Sequence, residues 1–352
     1  MTTTPRRRVL SLKIGLTLLL SLPVLSLNPS GGAAEAAVSV PACPSTTVTR
    51  TGNQTTALNQ VNNGGTWNLS GAVWDKFPGD YPVRSDAWTK GCLAGSKVMG
   101  RVPRTYTRDQ YYNGNGATAI KGEAYRQTLT AGDTNFLVYR DTYASDFEDG
   151  FDPNSPRNSQ QTVYMDHTRT EWIRDDCIET EGGGTAEGPM NVVLKNSLWD
   201  GCFTVFGERP SYAGGAVKNG AGAESLTVED SLIYSNPQPL GTQYCNSTKV
   251  TQGRCKATSD PNVWLGSQGI WKWSIAAASK VVIRNTIFRL DMASYSSCSP
   301  QVWPDGTYQN VTLVWTGSQP YARAGGCTNV LPPGVTLTTD VGVWDRAKAA
   351  WN

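Results

Sequence analysis

The sequence predicts an all-β chain wound as a right-handed parallel β-helix with terminal caps, and three observations predict it. First, five segments repeat the order apolar, any residue, Asn/Asp/His, Ser/Thr, ending in Asp141-Thr142, His167-Thr168, Asn196-Ser197, Asp230-Ser231 and Asn285-Thr286. The polar position recurs at spacings of 26, 29, 34 and 55 residues, which fits a solenoid coil of about 20 to 30 residues with loops of variable length, the last gap holding two coils. Second, the intervening chain is short β-rich runs, such as 191–194, 202–206 and 280–287, punctuated by Gly, Pro, Asn and Ser, with no sustained helical periodicity. Third, 36 glycines and only 17% charged residues suit a loop-rich β protein better than a helical one. A β-sandwich is the alternative, since its strands are also short, but it requires no recurring motif.

Residues 1–36 read as an export leader: Arg6-Arg7-Arg8, an apolar run over 14–27, then small residues with cleavage expected after Ala36. The arginines also fit a twin-arginine signal, which would mean export already folded. The apolar run is short and broken by Pro23, and no other segment is long enough to span a bilayer, so no membrane association is expected after cleavage. Residues 37–125 lack the repeat and are expected to cap the first coil, 126–318 to form the solenoid, and 319–352 to close the other end through a short helix. Eight cysteines, all in the exported part, imply disulfides in an oxidising compartment, secreted or periplasmic. Cys177 and Cys202 are one coil apart and could staple neighbouring rungs, and Cys245 with Cys255 could close a local loop, which would leave Cys43 with Cys92 and Cys298 with Cys327; sequence alone does not fix this connectivity.

Composition also excludes functions. A formal net charge of +2 gives no footprint for nucleic acid, and a monomer is expected. No close Cys pair exists and His167 is the single histidine, placed at the repeat's turn position, so neither a zinc site nor a Ser-His-Asp triad is expected. Carboxylates, Arg and Lys are left to carry any chemistry.

Two segments about one coil apart, Glu148-Asp149-Gly150-Phe151-Asp152-Pro153 and Arg174-Asp175-Asp176-Cys177-Ile178, would bring Asp149, Asp175 and Asp176 together on one face. Three close carboxyl groups do not all ionise easily, so one is pushed up to serve as an acid. Asp176 is assigned that role, with Asp149 and Asp175 activating water. Trp172 and Trp199 offer flat faces for pyranose rings, while Arg174, Arg209 and Lys272 offer charge to carboxylates or sulfates. The acidic loop 146–152 lacks the spaced ligands of a calcium loop, so no metal or cofactor is expected. The same Asp-Gly and Asp-Asp pairs also occur simply as turn residues.

The order Asp149-Gly150-Phe151-Asp152, Arg174-Asp175-Asp176-Cys177-Ile178-Glu179, Trp199-Asp200-Gly201-Cys202 resembles the motif series of polygalacturonases and rhamnogalacturonan hydrolases, over about 60 residues. The resemblance implies a parallel β-helix of pectin-lyase type that hydrolyses a pectin-like polysaccharide with inversion. Asp149 then matches the first catalytic carboxylate, and Asp175 with Asp176 the second pair. Asp200 stands where that family carries the histidine of Gly-His-Gly, as a substrate contact, and the family's Arg-Ile-Lys is echoed only by Trp271-Lys272-Trp273. A polysaccharide lyase and a non-catalytic adhesive β-helix remain as alternatives. A catalytic groove requires the three aspartates to converge.

Overall fold

The computed structural model describes residues 38–112, 122–130, 132, 134–154, 161–180, 189–207, 222–272, 280–296, 298 and 303–351. The chain divides into two units, Met1–Ala37 and Val38–Asn352, and the expected leader falls outside the described residues. The second unit is a stack of short parallel strands arranged in three rows, consistent with a parallel β-helix.

The first row holds nine strands among the described residues, from Thr46–Thr49 through Gly65–Asn68, Lys90–Ala94, Phe136–Arg140, Gln161–Asp166, Pro189–Lys195, Gly222–Glu229 and Lys280–Arg284 to Thr307–Gln309. Each pairs in parallel with the next. The second row runs likewise from Gly52–Asn53 to Val335–Thr338. The third comprises Leu58–Asn59, Val83–Trp88, Glu123–Leu129, Asp149–Asn154, the later halves of Arg169–Glu179 and Leu198–Gly207, and Gly269–Lys272. Those two long strands bend from the second row into the third and so tie the rows together.

The repeat marks the turn between the first and second rows. Asp141, His167, Asn196, Asp230, Asn285 and also Asn310 sit there at φ of 47° to 57°, the left-handed region that Asn and Asp tolerate and β-branched residues do not. Their side chains bond from coil to coil, Asn285 Nδ2 donating to Asp230 Oδ1 at 3.0 Å and Asn310 Nδ2 to Asn285 Oδ1 at 3.0 Å. Where the next residue is Ser or Thr it is buried, and Ser197 and Ser231 satisfy backbone groups at the bend: Thr168 N–H donates to Ser197 Oγ at 3.0 Å, and Ser197 N–H to Ser231 Oγ at 3.2 Å.

Three expectations change. The stack begins at Thr46, inside the stretch expected to be a cap, because Gly71 and Gly95 make the same left-handed turn there at φ 79° and 78° without the Asn/Asp signature. The 55-residue gap holds one coil, not two, since Glu229 pairs directly with Arg284 and Leu232 with Ile287. The extra length is an inserted antiparallel sheet of Gln238–Leu240, Trp264–Gly266 and Lys256–Ala257, with a single-turn helix at Ser247–Thr251. The carboxy-terminal helix Val341–Ala350 lies along the flank of the second row: Trp344 packs on Leu198, Leu232 and Val314, from three different coils.

The core includes a column of in-register side chains in the third row, Leu58, Val83, Tyr125, Phe151, Ile178, Phe206 and Trp271, all buried, packed against buried side chains of the other two rows. Tyr125 and Phe151 stack at 4.9 Å and Phe206 and Trp271 at 5.2 Å. All four expected disulfides are present, Cys43–Cys92, Cys177–Cys202, Cys245–Cys255 and Cys298–Cys327, which agrees with an oxidising compartment. No helix among the described residues is long and apolar enough to cross a membrane.

Candidate functional site

Asp149 opens the strand Asp149–Asn154, in register with Glu123 on the preceding coil. Asp175 and Asp176 lie on the next coil, where the pairing with Leu198–Gly207 shifts register between Ile173 and Asp176. The strands approach closely: a Cβ on Gly150 would lie 2.6 Å from the Cys177 carbonyl oxygen, and one on Gly207 would lie 2.2 Å from Asp176 Oδ2. The glycine of the Asp-Gly pair is therefore required by packing, and Gly207 leaves the room that the Asp176 carboxyl occupies.

The three expected aspartates do converge. Asp149, Asp175 and Asp176 each place a carboxylate oxygen within 4.8 Å of the others, and all are at least 95% buried. The Asp176 N–H donates to Asp149 Oδ1 at 2.8 Å. Asp175 is held by a buried ion pair in which the single Arg108 Nη2 donates to both its oxygens, at 3.0 and 2.9 Å. Arg108 comes from the one-turn helix Arg108–Tyr112, and Tyr111 OH beside it donates to the Arg174 carbonyl at 2.9 Å.

A second triplet shares Asp149: Glu123, Asp149 and Glu179 also bring oxygens within 4.8 Å, and here the two glutamates are only partly buried. The cluster thus reaches the surface through Glu123 and Glu179. Burial pushes the Asp149 carboxyl well above the usual carboxylate range, reinforced by Glu179, Glu148, Asp175 and Asp176, so its neutral form is favoured relative to an exposed aspartate. Burial raises Asp152 in the same way, with Glu179 and Glu123 adding to it and Arg126 opposing. Burial also pushes Glu123 up to about 7. Either triplet offers the hard oxygen ligands that a divalent cation takes, although the shared Asp149 in its neutral form is a poor one.

The expected sugar contacts fare differently. Trp199 is wholly buried, stacked at 6.3 Å on Phe151, with Nε1 donating to Thr168 Oγ1 at 3.0 Å, so it is core and cannot meet a sugar. Arg174 is buried too and braces the inserted sheet through Gln238 Oε1 at 2.8 Å and the segment leading into the Arg108–Tyr112 helix through the Tyr106 carbonyl at 2.6 Å. Burial lowers it to about 10. Asp200 is paired with Lys348 of the carboxy-terminal helix, which explains an aspartate there without any substrate. Trp172 is half-buried at a left-handed corner, its ring covered by the Arg104 guanidinium at 5.5 Å. Lys272 lies in the third row, and Arg209 lies outside the described residues.

Sequence reasoning missed Arg108, Glu123 and Glu179 as members of the site. Glu123 was legible, because it precedes Asp149 by 26 residues, the same interval that separates Asp149 from Asp175. Arg108 carried no periodic signal. Comparison with family models, with curated proteins and with solved structures finds no match to this chain.

Proposed function

We propose that the protein is an exported, right-handed, capped β-helix that hydrolyses glycosidic bonds of a polysaccharide at this carboxylate cluster. The observation that carries the reading is the pairing of a buried Asp149, its carboxyl pushed up by burial, with a partly exposed Glu179 within 4.8 Å, on adjacent coils of a rigid stack. Asp149, rather than Asp176, is then the acid: it gives its proton to the leaving glycosidic oxygen as the carbon–oxygen bond breaks. The spacing is nearer the ~5–5.5 Å of a retaining pair than the ~6.5–9.5 Å that seats a water in an inverting one. Glu179 accordingly attacks the anomeric carbon, and water later cleaves that ester, returning a proton to Asp149. Asp175, neutralised by Arg108, holds the local charge, and Asp176 fixes Asp149 through its N–H.

The test is incubation of the mature protein, Asp149→Asn and Glu179→Gln with pectic, alginate, glycosaminoglycan and neutral glucan substrates. New reducing ends without ultraviolet absorbance, reduced at least ~1000-fold in both variants, are expected. Product of retained configuration by proton NMR is expected; inverted product would return the mechanism to the one the resemblance implies. Unsaturated products would indicate a lyase, and silence on every substrate would favour an adhesive role.

A further inference from the structure

The third row also carries a second in-register row, one residue beyond the buried column. Arg84 pairs in register with Arg126, Arg126 with Asp152, and, on later coils, Glu179 with Gly207 and Gly207 with Lys272. Two guanidinium groups therefore stand on consecutive rungs, about 4.8 Å apart, immediately before the rung whose strand opens with Asp149. Both lie against the Tyr81 ring, Arg84 at 5.5 Å and Arg126 at 5.1 Å from its centroid. Their side chains remain 37% and 35% exposed.

Neither arginine is consumed by its neighbours among the described residues. Arg84 pairs with Asp86 at 2.7 Å, but both groups are in solvent, where such a pair contributes little. Arg126 meets only long contacts there: Tyr81 OH at 3.3 Å, Glu123 Oε1 at 3.5 Å and Asp152 Oδ2 at 3.6 Å. Its two carboxyl partners are also those that burial pushes toward the neutral form. The guanidiniums are held in place and keep donors to offer.

We propose that Arg84 and Arg126, stacked on Tyr81, form a subsite for an anionic group of the substrate, the carboxylate or sulfate ester of an acidic saccharide. The chain of sugars would run along the solenoid axis, so that its charged unit sits on the two rungs preceding Asp149 while the scissile bond lies over Asp149 and Glu179. The placement of the scissile bond rests on the hydrolase reading, whereas the binding of the anion does not.

The experiment is calorimetric titration of the mature protein, Arg84→Gln, Arg126→Gln and the double variant with trigalacturonate, a sulfated chondroitin disaccharide and neutral cellotriose, at low salt and at about 0.5 M salt. One of the anionic probes is expected to bind at least ~10-fold more weakly to the double variant and at high salt, and Arg→Lys variants to recover part of the loss. Which anion binds decides between carboxylate and sulfate. Unchanged affinity in the double variant, equal affinity for cellotriose, or no binding of either anion would overturn the subsite. Asp149→Asn separates the two readings: anion binding that persists in this variant while polysaccharide turnover is lost supports both, whereas anion binding by a parent protein silent on every polysaccharide leaves the subsite standing and removes the hydrolase.

Discussion

At the scale of single residues, the site is organised by what burial does to charge. Glu123 titrates near 7 in the fold against an ordinary value near 4.5, so the folded state disfavours its ionised form. Its contribution is therefore fully favourable below about pH 4.5 and is lost as pH rises to 7 and beyond. Glu123→Gln, which never ionises, should accordingly raise the melting temperature at pH 8 while leaving it nearly unchanged at pH 4. Equal shifts at both pH values would show that Glu123 is not the group being desolvated. Gly207→Ala tests the packing of the same cluster. Its Cβ would fall 2.2 Å from Asp176 Oδ2, so the Asp176 carboxyl must move, with an expected cost of about 1–3 kcal/mol in chemical denaturation and a loss of turnover larger than the loss of stability accounts for. A variant as active as the parent would show that Asp176 is free to shift without consequence.

At the scale of elements, the corner residues carry the register. Asn285 at φ 47° and Asn310 at φ 52° are interchangeable with Gly on backbone grounds, whereas a β-branched residue is strained there. Asn285→Val should cost about 1–3 kcal/mol more in denaturant unfolding than Asn285→Gly, because both lose the side-chain bonds to Asp230 and from Asn310 and only Val adds the backbone strain. Equal costs would mean that the ladder of amides, not the backbone angle, selects Asn. The same corners explain what could be read in advance. Coils turning on Asn, Asp or His announced themselves, and so did the convergence of Asp149, Asp175 and Asp176, since one coil of spacing is one rung of height. Coils turning on Gly71 and Gly95 were silent, because glycine is the commonest turn residue and marks no period. The inserted sheet and the helix bearing Arg108 were equally silent: each is a single excursion, and its partners on the stack are fixed by tertiary packing rather than by any interval in the chain.

At the scale of the molecule, a stack of coils distributes stability unlike a globular core, since each coil packs chiefly on its two neighbours. Cys177–Cys202 staples two such neighbours, the coil carrying Asp175 and Asp176 to the one carrying Gly207, across 25 residues of chain. Loop closure of that length makes the bond worth about 3 kcal/mol, most of it through the unfolded chain. Replacing both cysteines by serine should thus lower global stability by about that amount, yet the native-state consequence should be local. Amide exchange is expected to quicken over 161–180 and 189–207, beside the missing staple, while Val311–Trp315 and Val335–Thr338, further along the stack, keep their protection. The cluster would loosen with it, because Asp176 N–H to Asp149 spans the coil that the staple steadies. Exchange that quickens evenly from Thr46 to Thr338 would instead mean that the coils open as one cooperative unit. In that case the precision of the carboxylate cluster is set by the whole stack and not by the bond beside it.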